Sequence, residues 1–241
     1  MTSKIAAKVE LVPWDHTSDA HRERLVQQRI GCGWMEDAIE AWRDMTVKGT
    51  KTMYWILLAD DYPDRDGLIA AHTKRYPQEA IPIVDSASIH WGLPRQASQQ
   101  PIIPIGHIGL GLRPEKNVEL GLPARGSVWI GPLYVSWALQ GTGLGRATMR
   151  AAESLALSPV FNAETTALDA ITEKSQFDPG LLELHYFAKG NPKPAVSNEA
   201  WYRKQGYEEF AYNPDSYSWL NTKTGEQVPL PSIFFKKSLK G

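Results

Sequence analysis

The stretch YVSWALQGTGLGRATMRAAESLA, residues 134–156, constrains this chain more than any other. An apolar strand pattern runs into a loop with glycines at 141, 143 and 145, then at once into an Ala-rich sequence with helical spacing. Glycine loses more backbone freedom on folding than any other residue, so three at alternate positions imply that something approaches the main chain closely. A helix N-terminus concentrates unpaired N–H groups and the positive end of the helix dipole. The expected guest is therefore an anion, most simply a phosphate.

Spacing discriminates among phosphate loops. A P-loop needs Lys and then Ser or Thr after its second glycine, whereas Gly145 is followed by Arg146 and Ala147. A dinucleotide fingerprint starting at Gly141 or Gly143 needs glycine at 146 or 148, which hold Arg146 and Thr148. What remains, VSWALQGTGLGRA over Val135–Ala147, resembles the acyl-CoA-binding motif Q/R-x-x-G-x-G/A of the GCN5-related N-acetyltransferase (GNAT) family, with Gln140, Gly143 and Gly145 at its fixed positions. A second stretch, WYRKQGY over Trp201–Tyr207, resembles that family's late helix, in which a tyrosine stands four residues before a glycine that opens the next strand; here these are Tyr202 and Gly206.

The order of patterns along the chain is similar to the family's. Val9–Trp14 reads as a first strand. Ser18 to about Val47 reads as two helices, through Leu25, Ile30, Met35, Ala38, Ile39, Trp42 and Met45, broken at Gly31–Gly33. Lys51–Asp60 and residues 102–112 and 127–136 read as strands. A helix is expected from about Gly143 to Leu157, with Leu144, Thr148, Ala151 and Leu155 on one face. TTALDAI reads as a strand, Ser197 as the N-cap of a short helix ended by Gly206, and Tyr207–Tyr212 with residues 231–239 as a last strand pair. Pro-, Asp- and Gly-punctuated segments near 61–100, 113–126 and 172–197 read as insertions. The resemblance implies one α/β domain over 1–241: a mixed, mostly antiparallel central sheet, splayed at the fourth strand and flanked by helices.

The resemblance also implies an activity, transfer of the acetyl group of acetyl-CoA directly to a primary amine, expected to belong to a small molecule. A protein lysine or N-terminal acetyltransferase, or a catalytically weak acyl-CoA-binding protein, are the alternatives. By resemblance, main-chain groups of Leu133, Tyr134 and Val135 face the thioester, and Gln140, Gly141, Thr142, Gly143, Leu144, Gly145 and Arg146 cradle the pyrophosphate. The family often carries an asparagine on the pantetheine arm where this chain has Ala195; Asn198 is the nearby candidate. Tyr202 matches the general acid that protonates the departing thiolate. An alkyl ammonium titrates near 10 in water, so its proton must be removed before attack. Candidate bases are His107, Asp169, Glu183 and His185, among which the sequence does not choose.

Composition narrows the partners. A formal net charge of -1 offers no basic field for nucleic acid, and no stretch has the apolar length of a membrane span. The single cysteine, Cys32, forms no internal disulfide, no metal site is expected, and the first residues lack the apolar core of a signal peptide. A cytoplasmic protein is expected, with the nucleus open, as a monomer or homodimer. Aromatic residues at this density usually fill a core, with Trp91 and Trp137 near enough to insertions or the loop to line an acceptor pocket.

Overall fold

The computed structural model describes residues 9–221 and 224–240. Along the chain come β1 (Val9–Pro13), α1 (Asp19–Cys32), α2 (Ile39–Val47), β2 (Lys51–Leu58), α3 (Arg65–Arg75), β3 (Gly106–Gly111), α4 (Pro114–Glu119), β4 (Ser127–Val135), α5 (Leu144–Leu157), β5 (Thr165–Ile171), α6 (Glu173–Gln176), α7 (Pro179–His185), α8 (Asn198–Arg203), β6 (Glu208–Asn221) and β7 (Glu226–Ser238). These form a mixed α/β fold on a largely antiparallel sheet flanked by helices. Two compact units divide the chain: one runs to Arg113 and resumes at Ile130–Asn162, the other comprises Pro114–Trp129 and the chain from Ala163 onward. Strand β4 contributes residues to both.

In the first unit the strands lie in the order β1, β2, β3, β4. β1 runs antiparallel to β2 and β2 to β3, with Ile56 opposite Gly106 and Lys51 opposite Gly111. β2 is buried along nearly its whole length, which explains why KTMYWILL shows no alternation of apolar and polar residues. The glycines of β3 have a packing reason. A Cβ on Gly109 would lie 2.6 Å from the carbonyl oxygen of Gly131, and one on Gly106 would overlap that of Tyr134. That pairing also shows β3 and β4 to be antiparallel. The core of this unit gathers Trp14, Leu25, Ile39, Trp42, Met53, Trp55 and Ile83. Each such side chain contributes about 1.5–3 kcal/mol by leaving water.

Helix α1 departs from the expected apolar stripe. Ser18 caps it by accepting from the His21 N–H, and Gly33 ends it in a left-handed conformation with its N–H on the Arg29 carbonyl at 2.7 Å. Its buried face consists of His21, Arg24, Leu25, Gln28 and Arg29, while Ile30 is exposed, as are Met35 and Met45 further on. The inward side of α1 is thus mainly polar. Helix α5, expected from Gly143, starts at Leu144 and buries Leu144, Thr148, Met149, Ala152 and Ala156, a face turned slightly from the one read in the sequence. It packs against β1 and β3.

In the second unit the order is β4, β5, β7, β6. β4 and β5 pair in parallel from Ser127 opposite Thr165 to Trp129 opposite Ala167, and β5 pairs antiparallel with β7 along its whole length. β6 and β7 form an antiparallel pair with two register shifts, at Glu209/Ala211 and Asn213/Tyr217. These strands are longer than the residues 207–212 and 231–239 expected for them, because the polar stretch between folds back on itself as a hairpin. The core here is Leu122, Trp129, Ala167 and Phe234.

The three segments read as insertions carry structure of their own. Residues 61–100 hold α3, a 3-10 turn at Pro77–Ala80 and a two-residue strand at Ile83–Val84 that pairs with Pro101–Ile102. Pro104 separates that short strand from β3, which therefore covers 106–111 and not all of 102–112. The segment 113–126 holds α4, and 172–197 holds α6 and α7.

Candidate active site

In the first unit, β4 delivers the chain to the glycine loop. Ser136 leaves the strand with its N–H on the Ile105 carbonyl at 2.8 Å, and Trp137–Leu139 makes a single 3-10 turn. The Gln140 side-chain amide then donates back to the Val135 carbonyl at 3.4 Å, and the Thr142 hydroxyl donates to the Leu139 carbonyl at 2.7 Å. These two bonds tie the loop to the end of β4. Gly141 and Gly143 have φ of 84° and 86°, which an L side chain adopts only at a cost, and a Cβ on either would meet no atom within 4 Å. The backbone here is bent for a reason other than crowding.

Gly143 is the N-cap of α5 and brings no side-chain cap, so the N–H groups of the first turn are left without an intrahelical acceptor. Residues Gln140 to Gly143 and Arg146 are exposed. Leu144 buries its side chain and can offer only its main chain. An open glycine bend, uncapped amides and a nearby Arg146 suit a pyrophosphate, as coenzyme A carries. Leu133 is half-buried, Tyr134 and Val135 are buried, and all three lie beyond Trp129, where the parallel ladder of β4 with β5 ends.

Of the candidate bases, His107 lies on β3 in this unit and is wholly buried. Its Nδ1 stands 2.8 Å from the Gln28 side-chain oxygen and its Nε2 3.3 Å from the Arg29 guanidinium. Arginine only donates, so Nε2 accepts and Nδ1 carries the proton. Burial, then Arg29 and Lys51, hold its pKa well below the ordinary value. Both ring nitrogens are engaged in the interior.

The other candidates belong to the second unit. Tyr202, on α8, packs its ring against Trp201, Tyr207 and Phe235, with centroids 5.0, 5.9 and 6.4 Å away. Burial, and then the Asp169 carboxylate, push its phenol above the ordinary pKa, so it stays protonated at neutral pH. Asp169, on β5, is half-buried and accepts a hydrogen bond from the Tyr217 hydroxyl. Glu183 is exposed on α7 and His185 ends that helix. Ser197 caps α8 as expected, accepting from the Ala200 N–H at 3.1 Å. Asn198 is the first residue of that helix, with its main-chain N–H on the Gln176 side chain at 2.8 Å.

A cluster in the first unit was absent from the sequence reading. Ser136, His72, Glu79, Gln28, His107 and Arg29 gather as one buried polar cluster. His72 Nδ1 lies 2.9 Å from the Ser136 hydroxyl, its Nε2 3.4 Å from Glu79, and Gln28 donates to Glu79 at 2.8 Å. His72 comes from α3 and Glu79 from the 3-10 turn after it, both within the segment read as a surface insertion. Trp137 donates to the Gly31 carbonyl at 3.1 Å, and Trp91 donates to the Tyr54 hydroxyl at 2.7 Å.

No family model matches the sequence, and no curated protein matches it either. Among solved structures, a GNAT-family structure from Desulfovibrio desulfuricans is 10% identical, with a TM-score of 0.51, over 96% of this chain and 99% of that one. Arabidopsis thaliana NAA60 in complex with acetyl-CoA is 11% identical, with a TM-score of 0.51, over 97% of this chain and 99% of that one. An aminoglycoside 6'-N-acetyltransferase complexed with coenzyme A is 13% identical, with a TM-score of 0.50, over 96% of this chain and 98% of that one. Among the described residues no helix is long and apolar enough to cross a membrane. At these identities the likeness is one of architecture: the chain has the GNAT acetyltransferase fold.

Proposed function

We propose that this protein is an N-acetyltransferase that moves an acetyl group from acetyl-CoA directly to a primary amine of a small molecule. The observation that carries the reading is the loop Gln140–Gly145. Gly141 and Gly143 sit at positive φ with open space around them, and the loop opens a helix of 14 residues whose first amides are uncapped. The fold supports it, since structural neighbours of the same architecture include complexes with coenzyme A and acetyl-CoA.

When bound, acetyl-CoA supplies an acyl group already activated as a thioester. The chain's part is to hold and polarise it. Amides at the start of α5 take the pyrophosphate, with Arg146 adding a charge. Main-chain N–H groups at the end of β4 stabilise the carbonyl oxygen as negative charge gathers there, worth a few kcal/mol in such sites. By resemblance, Tyr202 gives its proton to the departing thiolate, the phenol being protonated at neutral pH.

Saturating acetyl-CoA should raise the melting temperature. A ligand at 100 times its Kd stabilises the native state by about 2.7 kcal/mol, roughly 5–10 °C for a chain of this size. An unchanged melting temperature overturns the reading. Thiol release across a panel of amines then separates a transferase from a protein that only binds the coenzyme.

A further inference from the structure

The surroundings of β5 change along its length. The strand keeps β7 as an antiparallel partner throughout, but its parallel ladder with β4 ends at Ala167. From Leu168 to Ile171 one edge of β5 has no ladder among the described residues, and main-chain groups without a ladder need another partner. Asp169 lies within that stretch, opposite Phe234 of β7. It is the one ionisable residue of β5, and it is half-buried, so solvent reaches it.

Two tyrosines of the same unit converge on this carboxylate. The first comes from β6. In the sheet β7 lies between β5 and β6, so two strand spacings, about 10 Å, separate Asp169 from that strand. The register of β6 shifts between Asn213 and Tyr217, and the Tyr217 hydroxyl reaches across β7 to donate to Oδ2 of Asp169. An irregularity of this kind gives up ladder bonds and re-aims a side chain. Tyr217 is 37% exposed, so the pair is open to water, and one phenol does not saturate a carboxylate, which has about four acceptor positions. The second is Tyr202, on a helix packed against β5; after burial, the Asp169 charge is what raises its phenol. Of the other candidate bases, His107 is enclosed with both nitrogens engaged, and Glu183 and His185 lie on α7.

We propose that Asp169 is the general base that receives the ammonium of the acceptor, and that Tyr217 is a positioning residue that fixes its carboxylate. This rests on the acetyltransferase reading above, in which Tyr202 meets the departing sulfur. The ammonium passes one proton to Asp169, and the freed nitrogen forms a bond to the acetyl carbonyl carbon. The C–S bond breaks with its electron pair on sulfur, which takes the Tyr202 proton. The second proton leaving nitrogen returns to Tyr202, and Asp169 releases its own to solvent. Each turnover thus yields an amide, a free thiol and one proton. By donating to Oδ2, Tyr217 fixes the rotation of the carboxylate, so losing that bond costs orientation and leaves the charge in place.

The test combines acetyl-CoA calorimetry with steady-state acetylation of ethylamine, 2-phenylethylamine and a lysine peptide, the variants being compared on whichever amine wild type turns over fastest. Asp169→Asn should bind acetyl-CoA as wild type does while losing about 100-fold in kcat, with Asp169→Glu recovering part of it. Tyr217→Phe should lower kcat roughly tenfold with the KM for acetyl-CoA unchanged. In the Asp169→Asn background Tyr217→Phe should cost nothing further, because the base it positions is gone; a merely structural tyrosine costs the same in both backgrounds. Full turnover by a folded Asp169→Asn, an unchanged kcat in Tyr217→Phe, or equal losses from Tyr217→Phe in both backgrounds overturns this inference alone. If Asp169→Asn fails to fold, the kcat of Tyr217→Phe decides. Wild type that binds acetyl-CoA but acetylates none of the three amines overturns the transferase reading and this inference with it, and failure to bind acetyl-CoA overturns the coenzyme site as well.

Discussion

The glycines of β3 and those of the loop before α5 sit in the same unit and answer opposite demands. At Gly106 and Gly109 the main chain of β4 comes so close that a Cβ has nowhere to go. At Gly141 and Gly143 a Cβ would meet nothing, yet the backbone adopts a conformation that disfavours side chains. The first pair is explained by the protein's own packing. The second is left unexplained by any contact among the described residues, which is why we assign it to a guest. Residue type alone does not separate a glycine required by close packing from one required by its backbone conformation; the space around it does.

Substitutions can break that contrast. Gly109→Val should have the largest effect, because a rigid strand cannot retreat from a backbone oxygen 2.6 Å from the added carbon. Overpacking of this kind should cost about 3 kcal/mol or more, read by urea unfolding. Gly143→Val should cost less in stability, about 1–3 kcal/mol of backbone strain, but weaken acetyl-CoA binding by roughly 10–100-fold as amide contacts to charged oxygens are lost. Gly49→Ala is the control in the same unit. It too has a positive φ, 66°, with no atom within 4 Å, but it lies in the turn between α2 and β2. It should cost about 1–2 kcal/mol of stability and leave acetyl-CoA binding untouched. If Gly49→Ala weakens binding as much as Gly143→Val does, open glycines report only strain and the contrast fails.

Much of the frame was legible because it rests on apolar periodicity and caps. Strand β5 coincides with TTALDAI, and Ser197 caps α8 where expected. Helix α3 was not legible: its only fully buried residue is His72, and Gly67 lies within it, so neither a stripe nor a propensity signal marks it. The polar cluster of Ser136 to Arg29 was hidden for the same reason. Hydrophobic patterning reports which apolar residues leave water, whereas Gln28 is buried through bonds to Glu79 and His107, and His72 through one to Ser136. His107 drew attention as an isolated histidine, but its partners come from α1, and no local spacing could announce them.

The central claim is that the main-chain amides around Gly143 exist to hold the phosphates of acetyl-CoA. Following backbone amide resonances during titration with acetyl-CoA tests it most directly. The account predicts that Gly141 to Arg146 show the largest shifts, saturating together with a single Kd. Binding that leaves those amides unmoved while others shift, or no binding at all, contradicts it.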